Sequence, residues 1–406
     1  IQATLLVIHT SPATSPFTGM TVQDWMGQNQ SVLDAAGVPG VAYDLGHVYA
    51  RYLGGSAIGV AGGLSCTNGK SRGCTAGGGA YGDGFIGALG QEIGHQIAGG
   101  HTWNRCGGGN GRAGATAFEP GSGSTIMSYA GACGSDNIQG YADLYYHAGS
   151  IEEIKTYVFT NGGNLCGTLT ETMNNAPVVT LNYQDNFFIP WGTPFELNGS
   201  ATDPDGDPLV YNWEQIDIGP AVPLAEPQGR SPLFRTWPAV TQTNRYFPKL
   251  GTVLSNGFDL AEQMPGPWTR DLTFRLTARD NKTGGVGWAD VAFKAWGQSG
   301  PFLVTAPNTA AAVWNIGEYT EVRWDVANSD KAPVNCSHVN IRLSTDAGQT
   351  YPITLAEHVN NDGSHYVLVP NILTPLARVR IDGDNSVFFF FSANNFRTQQ
   401  PTPPSR

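Results

Sequence analysis

The feature that most constrains the fold is a long succession of short β-type segments, which runs from about Asn175 towards the C-terminus. Runs of β-branched and aromatic residues alternate there with Gly, Pro, Asn and Asp, at spacings typical of a sandwich. The first block contains "APVVTLNYQ", "LVYNWEQI", "LTFRLTARD" and "GWADVAFKAW". A second block starts near Gly300 and contains "FLVTAPN", "EVRWDVA", "VNIRLSTDAG" and "ARVRIDG". These two blocks predict two β-sandwich domains.

The part of the chain before these blocks is different in character. It is Gly-rich and holds the two convincing helical patterns, around residues 84–99 and 145–158, while "ATLLVIHT" near the start has a strand pattern. The sequence therefore predicts an α+β head followed by two all-β immunoglobulin-like sandwiches. The predicted domains are a head over 1–172, a cadherin- or PKD-like sandwich over 173–298, a second sandwich over 299–395 and a flexible Pro-rich tail over 396–406.

Composition agrees with this division and excludes some functions. Charged residues make up only 14% of the chain, against about 25% in a typical soluble protein, while 53 Gly and 26 Pro favour turn-rich β structure. The net charge of -11 leaves no basic field to hold a phosphate backbone, so nucleic acid is not expected as a partner. No apolar run approaches the roughly 18 residues that cross a bilayer, and no signal segment follows Ile1. We expect a mature, soluble chain.

The cysteines indicate the compartment. Five of the six lie in the first 170 residues, and none belongs to a C-x-x-C pair of the kind found in zinc ribbons and redox motifs. Cys66 and Cys74 flank a short loop and suit a local disulfide, and Cys106, Cys133 and Cys166 can supply another. Disulfides predict an oxidising, extracellular environment. The alternative is a cytosolic protein with buried free thiols, and the connectivity stays open.

One segment carries candidate chemistry, namely QEIGHQIAGGH at residues 91–101. On a helix, Gln91 and His95 lie one turn apart on the same face, so both side chains can reach one metal ion while Glu92 flanks it. This arrangement is typical of a zinc protease. Taken alone, however, a helix with Glu and His near Gln is commonplace.

The residues after this helix make the pattern specific. Ala98, Gly99 and Gly100 can end a helix and turn the chain, so that His101 returns as a further metal ligand. Further along, "STIMSYAG" places Met127 in a tight-turn context. An extended histidine helix followed by a Met-turn is the pattern of the metzincins.

Four segments together carry a wider resemblance: "YDLGHVYA", "GQEIGHQIAGGHTWN", "EPGSGSTIMSYAG" and, in the next domain, "ATDPDGDPLVYNWEQ". With them the chain resembles, over nearly its whole length, the bacterial secreted metallopeptidases of the reprolysin-like group. The resemblance implies a metzincin catalytic head followed by β-sandwich repeats. It also implies a strand and a long helix before Ile1, so we expect a head truncated at its N-terminus.

The resemblance also assigns roles to individual residues. His95 and His101 match the second and third zinc ligands, and Glu92 matches the general base that takes a proton from zinc-activated water. Met127 matches the residue packed beneath the metal. Tyr129 occupies a position that in some metzincins supplies a hydroxyl to the zinc or to the developing oxyanion.

A substrate-binding strand and a function follow from the same resemblance. Gly59, Val60 and Ala61 in "GVAGGL" can form the edge strand that pairs with an extended polypeptide. The implied protein is a secreted or cell-surface zinc metalloendopeptidase whose sandwiches are spacers or bind a surface or protein partner. The alternative is an inactive pseudopeptidase that serves as a binding or assembly protein.

Three positions depart from the family pattern, namely Gln91, Ile97 and Ala98. Gln91 stands where the family has its first zinc-binding histidine, and an amide oxygen is a weak, neutral ligand for zinc. Ala98 stands where the family has a glycine that permits a left-handed turn, which costs alanine about 1 kcal/mol or more unless Gly99 and Gly100 shift the turn. Three explanations of Gln91 stay open: a natural pseudopeptidase, a deliberate inactivating replacement and an error in the residue's identity.

The other histidines are expected to be structural or exposed. His47 and His147 recur in the family pattern, but a histidine beside aromatic residues is more often a satisfied core residue than a metal ligand. A serine hydrolase is disfavoured, because no G-x-S-x-G elbow precedes a helix.

The first sandwich has a candidate calcium site. In "ATDPDGDP", Asp203, Asp205 and Asp207 alternate along the chain as a compact array of hard oxygen ligands, which Asp280 and Asn281 can complete. The alternative is an Asx-turn loop that only joins two strands.

Overall fold

The computed structural model describes residues 15–38, 40, 43–50, 54, 57–77, 83–107, 111–168 and 170–401. The chain divides into two compact units. Unit 1 comprises residues 1–173 and 221–223, and unit 2 comprises residues 174–220 and 224–406. The strand predicted in "ATLLVIHT" lies outside the described residues.

Unit 1 mixes helices with a small sheet. Its described elements are α1 (Val22–Ala35), β1 (Val48–Ala50), β2 (Gly59–Ala61), β3 (Gly73–Ala76), α2 (Asp83–Gln96), a 3-10 turn (Gly134–Asp136) and α3 (Ala148–Thr160). The strand order is β1-β3-β2, with β1 parallel and β2 antiparallel to β3. Both α1 and α2 pack against β3, which is buried at every position. Strand β2 therefore lies at an edge of the described sheet.

Helix α1 is not among the predicted elements, although the sequence encodes its start. Thr21 Oγ1 accepts a hydrogen bond from the backbone N–H of Asp24 at 3.2 Å, and the Asp24 carboxylate accepts one from the N–H of Thr21 at 3.1 Å. This capping box precedes a stripe of buried residues that includes Met26 and Leu33. The polar Asn29 lies on the same buried stripe. A polar residue in that stripe weakens the apolar periodicity by which a helix is recognised.

The two predicted helices are confirmed. The pattern at 84–99 corresponds to α2 and the pattern at 145–158 to α3, each within a few residues. In the part of the chain that the structure describes, every helix is too short or too polar to cross a membrane.

Unit 2 is built almost entirely of strands. Its first half contains β4 (Val178–Thr180), β5 (Phe188–Pro190), β6 (Phe195–Leu197), β7 (Ser200–Thr202), β8 (Val210–Gln215), β9 (Arg245–Phe247), the short helix α4 (Leu250–Leu254), β10 (Arg270–Arg279) and β11 (Val286–Trp296). The sheets are β5-β11-β10-β8, β4-β7 and β6-β9. In the main sheet, β10 is antiparallel to β8 and β11, while β5 runs parallel to β11.

The second half of unit 2 has a similar composition of short strands. It contains β12 (Leu303–Ala306), β13 (Val313–Asn315), β14 (Tyr319–Asp325), β15 (His338–Ser344), β16 (Ile353–Asn360), β17 (Ser364–Leu368), β18 (Arg378–Gly383), β19 (Phe389–Phe391) and β20 (Arg397–Gln399). The sheets are β12-β14-β17, β16-β15-β18-β19 and β13-β20. Many short strands with few helices fit the predicted β-sandwich architecture.

A continuous cluster of buried side chains runs through both halves of unit 2. The Phe195 ring lies within it, with its centroid 5.0 Å from that of Phe247 and 5.4 Å from that of Phe293. Arg380 from the second half forms an ion pair with Glu196 of the first at 2.7 Å. Because both halves contribute to this core, the division into sandwiches at residues 298 and 299 stays a prediction.

The predicted flexible tail needs a correction at its start. Arg397–Gln399 form strand β20, which pairs in parallel with β13, and Phe396 beside it is buried. The polar residues of this segment resemble a flexible tail, but their backbone groups form hydrogen bonds with β13 and with nearby loops. The ordered domain therefore extends to Gln399.

The disulfides of unit 1 differ from the local pairing that the sequence favours. Cys66 pairs with Cys166, and Cys106 pairs with Cys133. The predicted Cys66–Cys74 bond is wrong, because Cys74 is a free thiol completely buried in the central strand β3. The prediction that the three later cysteines supply a disulfide is confirmed.

We expect the long-range disulfide to be a major stabiliser of unit 1. Its two cysteines are separated by 100 residues, and the entropy that a cross-link removes from the unfolded chain grows with loop length. Replacing Cys66 and Cys166 together by Ser should lower the free energy of unfolding by about 4 kcal/mol, or roughly 10 °C in calorimetry. Cys336→Ser in unit 2 is the control, and a double variant that melts like the parent would contradict the expectation.

Candidate metal centre

The end of helix α2 sets the geometry of the centre. Ala98 has a φ of 69°, in the left-handed region. Its N–H donates to the carbonyl of His95 at 3.1 Å, and the N–H of Gly99 donates to the carbonyl of Gly94 at 2.8 Å. These are the two hydrogen bonds of a Schellman motif, which ends a helix and reverses the chain. The turn stays at Ala98 and is not shifted onto the following glycines.

This reversal brings the two histidines together. His95 Nε2 and His101 Nε2 are 3.0 Å apart, and the ring planes are nearly perpendicular, at 88°. His95 Nδ1 lies 2.8 Å from the carbonyl oxygen of Gly99, and His101 Nδ1 contacts the carbonyl oxygen of Gly111. The structure thus brings these two predicted ligand side chains together.

The hydrogen bonds of the pair define which atoms face each other. A carbonyl oxygen can only accept, so each Nδ1 carries the proton and each Nε2 of a neutral ring presents a lone pair. Two lone pairs at 3.0 Å repel each other unless a proton or a cation lies between them. The separation is close to the roughly 3.3 Å between two nitrogens on a tetrahedral zinc ion.

Protonation is an unfavourable way to relieve this repulsion. Burial and the neighbouring His101 lower the pKa of His95 to about 4, and burial also lowers the pKa of His101. Both rings are therefore expected to be neutral at pH 7. A divalent cation fits the pair better than a shared proton does.

Met127, expected to pack beneath the metal, lies against the end of helix α2. Its side chain is completely buried, and a methyl group added at Gly94 would come within 2.5 Å of its sulfur. Its methyl carbon also lies near Gly99. The carbonyl of Met127 accepts a hydrogen bond from the N–H of Thr102 at 3.1 Å. The thioether thus packs under the turn of α2 that carries His95.

Glu92 lies on the same helix in a dry environment. It is 8% exposed, and burial raises the pKa of its carboxyl to about 7. A methyl group added at Gly59 would lie 2.5 Å from Glu92 Oε1, so the carboxyl rests against edge strand β2. A carboxyl with a pKa near neutrality can both accept and release a proton.

Tyr129 lies beside the histidines. Its ring centroid is 4.5 Å from that of His101 and 5.3 Å from that of Trp103. Burial and, to a lesser degree, the charge of Glu92 raise the pKa of its hydroxyl. The hydroxyl is therefore a donor at neutral pH, and it is close to the pair.

Gln91 does not restore a full set of protein ligands. Its Nε2 donates to the carbonyl of Ser128 at 3.2 Å. Among the described residues, the one grouping of three or more His, Cys, Asp or Glu with converging ligand atoms is the aspartate array of unit 2. The histidine pair thus has no third partner of these types in the described chain. The amide oxygen of Gln91 and the hydroxyl of Tyr129 are the candidates.

The other histidines of unit 1 have structural contacts. His47 Nδ1 lies 2.7 Å from Gln96 Oε1, and its Nε2 lies 2.9 Å from Thr75 Oγ1, so both ring nitrogens are engaged between α2 and the sheet. His147 caps helix α3 and stacks on Phe118 with centroids 5.3 Å apart. Neither is positioned as a metal ligand.

Two buried residues near the pair are absent from the predicted site. Trp103 is fully buried next to His101, and its Nε1 has no hydrogen-bond partner in the described chain. Glu119 is 1% exposed and accepts hydrogen bonds from the loops on either side. The sequence around Glu119, "FEPGSGS", indicates only a Gly- and Pro-rich loop. Nothing in these adjacent residues indicates that the carboxylate of Glu119 is buried.

The aspartate array of unit 2 has features of a calcium site and of an Asx-turn loop. Ligand atoms of Asp203, Asp205 and Asp207 lie within 4.8 Å of one another. Asp203 Oδ1, however, accepts the N–H groups of Asp205 and Asp207 at 2.9 and 3.1 Å, as in an Asx-turn. Lys282 pairs with Asp207 at 2.9 Å, and its N–H bonds to Asp280. Calcium binding stays a prediction.

Comparison with known proteins bears on unit 1. The family model Reprolysin_3, metallo-peptidase family M12B reprolysin-like, matches residues 4–102, a range that includes α2 and His101. This match points to a zinc metallopeptidase. It covers about a quarter of the chain and ends before Met127. No curated protein matches the chain.

Two solved structures match the chain at low sequence identity. Sidekick-1 immunoglobulin domains 1–5 match at 10% identity with a TM-score of 0.19, covering 56% of this chain and 40% of that one. The chicken CNTN1 FN1–FN3 domains match at 16% identity with a TM-score of 0.21, covering 57% and 65%. The chain spans less than two thirds of either structure.

The left-handed alanine predicts a stabilising substitution. A non-glycine residue in this conformation costs about 1–2 kcal/mol, and the greater freedom of glycine in the unfolded chain offsets about half of that. Ala98→Gly should therefore stabilise unit 1 by about 0.5–1 kcal/mol, measured by denaturant unfolding. Ala88→Gly, in the interior of α2, is the matched control and should destabilise by about 1 kcal/mol. Equal effects at both positions would contradict the assignment of the turn.

The buried carboxyl of Glu92 predicts a pH-dependent effect on stability. Its pKa rises from 4.5 to about 7 on folding, so the protonated carboxyl favours the folded state over the ionised one. This contribution to the free energy of unfolding is fully present below about pH 4.5 and is lost as the pH rises through 7. The loss amounts to roughly 3 kcal/mol. In metal-free protein, Glu92→Gln should therefore stabilise unit 1 at pH 8 relative to pH 4.5.

Denaturant unfolding at the two pH values measures this difference. Glu152→Gln, at an exposed position of α3, is the control and should change little. A Glu92→Gln variant whose stability relative to the parent is the same at both pH values would refute a raised pKa.

Proposed function

We propose that unit 1 is the catalytic head of a zinc metalloendopeptidase that cleaves extended polypeptides. The observation that carries this proposal is the pair of neutral imidazoles whose Nε2 atoms face each other at 3.0 Å. The family match over residues 4–102 supports the same class of protein.

The residues present fit a zinc ion in part. His95 and His101 would hold it, each oriented by a hydrogen bond from Nδ1 to a backbone carbonyl, which is the usual support of a metal-binding histidine. The amide oxygen of Gln91 or the hydroxyl of Tyr129 would supply a weaker third ligand. When bound, zinc supplies a Lewis acid that polarises a carbonyl and lowers the pKa of water.

The chain's own groups supply the proton transfers and the positioning. Glu92 is the general base: it accepts a proton from the attacking water and passes it to the departing amine, a role suited to a pKa near 7. Tyr129 donates a hydrogen bond to the developing oxyanion. Gly59, Val60 and Ala61 pair with the extended substrate along the edge of the sheet, which places the peptide beside Glu92.

A second function, that of an inactive binding protein, is favoured by one contact. Gln91 donates to the carbonyl of Ser128, which links helix α2 directly to the Met-turn segment without a metal. In a pseudopeptidase this hydrogen bond would stabilise the head, and the sandwiches would carry the binding function.

The setting of the protein is part of the proposal. Two disulfides in unit 1 support an extracellular or cell-surface location. The proposed sandwiches over 173–298 and 299–395 bind a surface or a protein partner, and calcium at Asp203, Asp205 and Asp207 would stabilise the first of them. Bacterial origin stays a prediction from the resemblance.

Zinc content and proteolysis of an unfolded substrate test the proposal. The parent should bind zinc weakly, and Gln91→His should tighten zinc binding more than about 100-fold. Losing a hydrogen-bond partner of a ligand already lowers metal affinity by about 10- to 100-fold, and a direct ligand contributes more. Proteolysis should rise with zinc occupancy and disappear on chelation.

Gln23→His makes the same change at an exposed position of helix α1 and is the matched control. Zinc binding and cleavage by Gln91→His alone would make the parent a pseudopeptidase. Failure of Gln91→His to bind zinc would refute the metal centre itself.

A further inference from the structure

A buried carboxylate connects the two segments that hold the candidate metal centre. Glu119 is 1% exposed and forms an isolated parallel β-bridge with Trp103. Its N–H donates to the carbonyl of Thr102 at 2.8 Å, and its carbonyl accepts from the N–H of Asn104 at 2.8 Å. The backbone of Glu119 is thus tied to the residues that follow His101.

The side chain of Glu119 reaches in both directions along the chain. Its Oε1 accepts from Thr102 Oγ1 at 2.6 Å and from Thr125 Oγ1. Its Oε2 accepts from the N–H and the hydroxyl of Ser124, at 2.7 and 3.0 Å, and from the N–H of Thr125 at 3.2 Å. Five donors therefore converge on one carboxylate.

The partners of this carboxylate stand next to the residues of the centre. Thr102 directly follows His101, and Thr125 lies two residues before Met127. The N–H of Thr102 also donates to the carbonyl of Met127 at 3.1 Å. Glu119 therefore ties the backbone next to His101 to the Met-turn, while the ring of His101 is oriented by the carbonyl oxygen of Gly111.

The groups around the side chain of Glu119 favour a carboxylate. Every group around the side chain of Glu119 is a hydroxyl or an N–H that donates, and a carboxylate is the acceptor-only side chain. An amide at this position would turn its NH2 group either towards the N–H groups at Oε2, which can only donate, or towards the two hydroxyls at Oε1, which would have to rotate to accept and give up the bonds that they donate. A neutral isostere therefore separates the role of the hydrogen bonds from that of side-chain volume.

We propose that Glu119 is a positioning residue of the candidate metal centre, which holds His101 opposite His95 by joining the Thr102 and Thr125 segments. The proposal rests on the proposed function only in taking this histidine pair as the metal site. His95 is held by the carbonyl of Gly99 at the end of its own helix, whereas His101 meets the carbonyl of Gly111 in a separate loop only while its own backbone stays in place. The two rings should therefore respond differently to a change at Glu119.

Glu119→Gln in the full chain tests this difference. In metal-free protein with 15N-labelled histidine, the ring-nitrogen spectrum of the parent should show one tautomer for both histidines, with the proton on Nδ1. In the variant, His101 should become a mixture of tautomers, while His95 keeps the proton on Nδ1. The dissociation constant for Co2+, read from its visible absorption, should rise by about 10- to 100-fold.

Glu262→Gln is the matched control. Glu262 is also 1% exposed and accepts three hydrogen bonds, but it lies in unit 2. The Glu262→Gln variant should be less stable than the parent, with an unchanged histidine spectrum and an unchanged cobalt affinity. Thr125→Val, which removes one donor and keeps the carboxylate, gives a milder variant with a smaller shift of the same kind if Glu119→Gln does not fold.

The outcomes separate this proposal from the proposed function. If His101 keeps its single tautomer in both Glu119→Gln and Thr125→Val, the carboxylate has only a structural role and the proposal is overturned. If the parent binds no cobalt, but His101 alone becomes a mixture of tautomers in Glu119→Gln, the positioning role stands and the proposal of a zinc enzyme is refuted. If His95 and His101 change together, the independent anchoring of the rings is wrong and the proposal fails.

Discussion

The approach of two imidazole nitrogens with their lone pairs facing is the interaction on which the candidate metal centre of unit 1 depends. It requires a helix that ends at a fixed residue, a turn that reverses the chain within a few positions, and a separate loop that returns a carbonyl to the second ring. The Schellman turn at Ala98 supplies the reversal, and the carbonyls of Gly99 and Gly111 fix the proton on Nδ1 of each ring. Two further features support the turn: Met127 fills the space under it, and the glycine at position 94 leaves room for its sulfur.

Part of this centre is encoded locally and could be predicted. The spacing from Gln91 to His101 fixes which residues share a helix face and where the chain must turn, because helical periodicity and glycine conformations are properties of a few adjacent residues. The same holds for the edge strand at Gly59. What the sequence did not reveal depends on contacts between distant residues. Cys66 pairs with the distant Cys166, because Cys74 is buried in the core of the sheet. Glu119 lies near the site only because two loops fold over it.

The replacement at position 91 has a physical meaning that the fold makes clearer. An imidazole at that position would offer a third nitrogen, whereas the amide offers a weak oxygen and an NH2 group that bonds to Ser128. That bond links helix α2 to the Met-turn in protein without metal, and the Glu119 network links the segment of His101 to the same turn. The head is thus held together by hydrogen bonds at two points around the histidine pair. A lower affinity for metal is then compatible with an ordered site.

Several features of unit 1 lower its stability in the absence of a cation. Ala98 occupies a conformation that favours glycine, the carboxyl of Glu92 is buried with no ion-pair partner among the described residues, and two lone pairs face each other at 3.0 Å. Violations of local rules tend to concentrate at functional positions, where they are compensated elsewhere in the fold or by a ligand. A divalent cation would relieve two of the three at once, since it accepts both lone pairs and provides a positive charge near the carboxyl. The two disulfides and the carboxylate of Glu119 stabilise the surrounding loops, so the unfavourable contacts remain confined to the place where a metal would act.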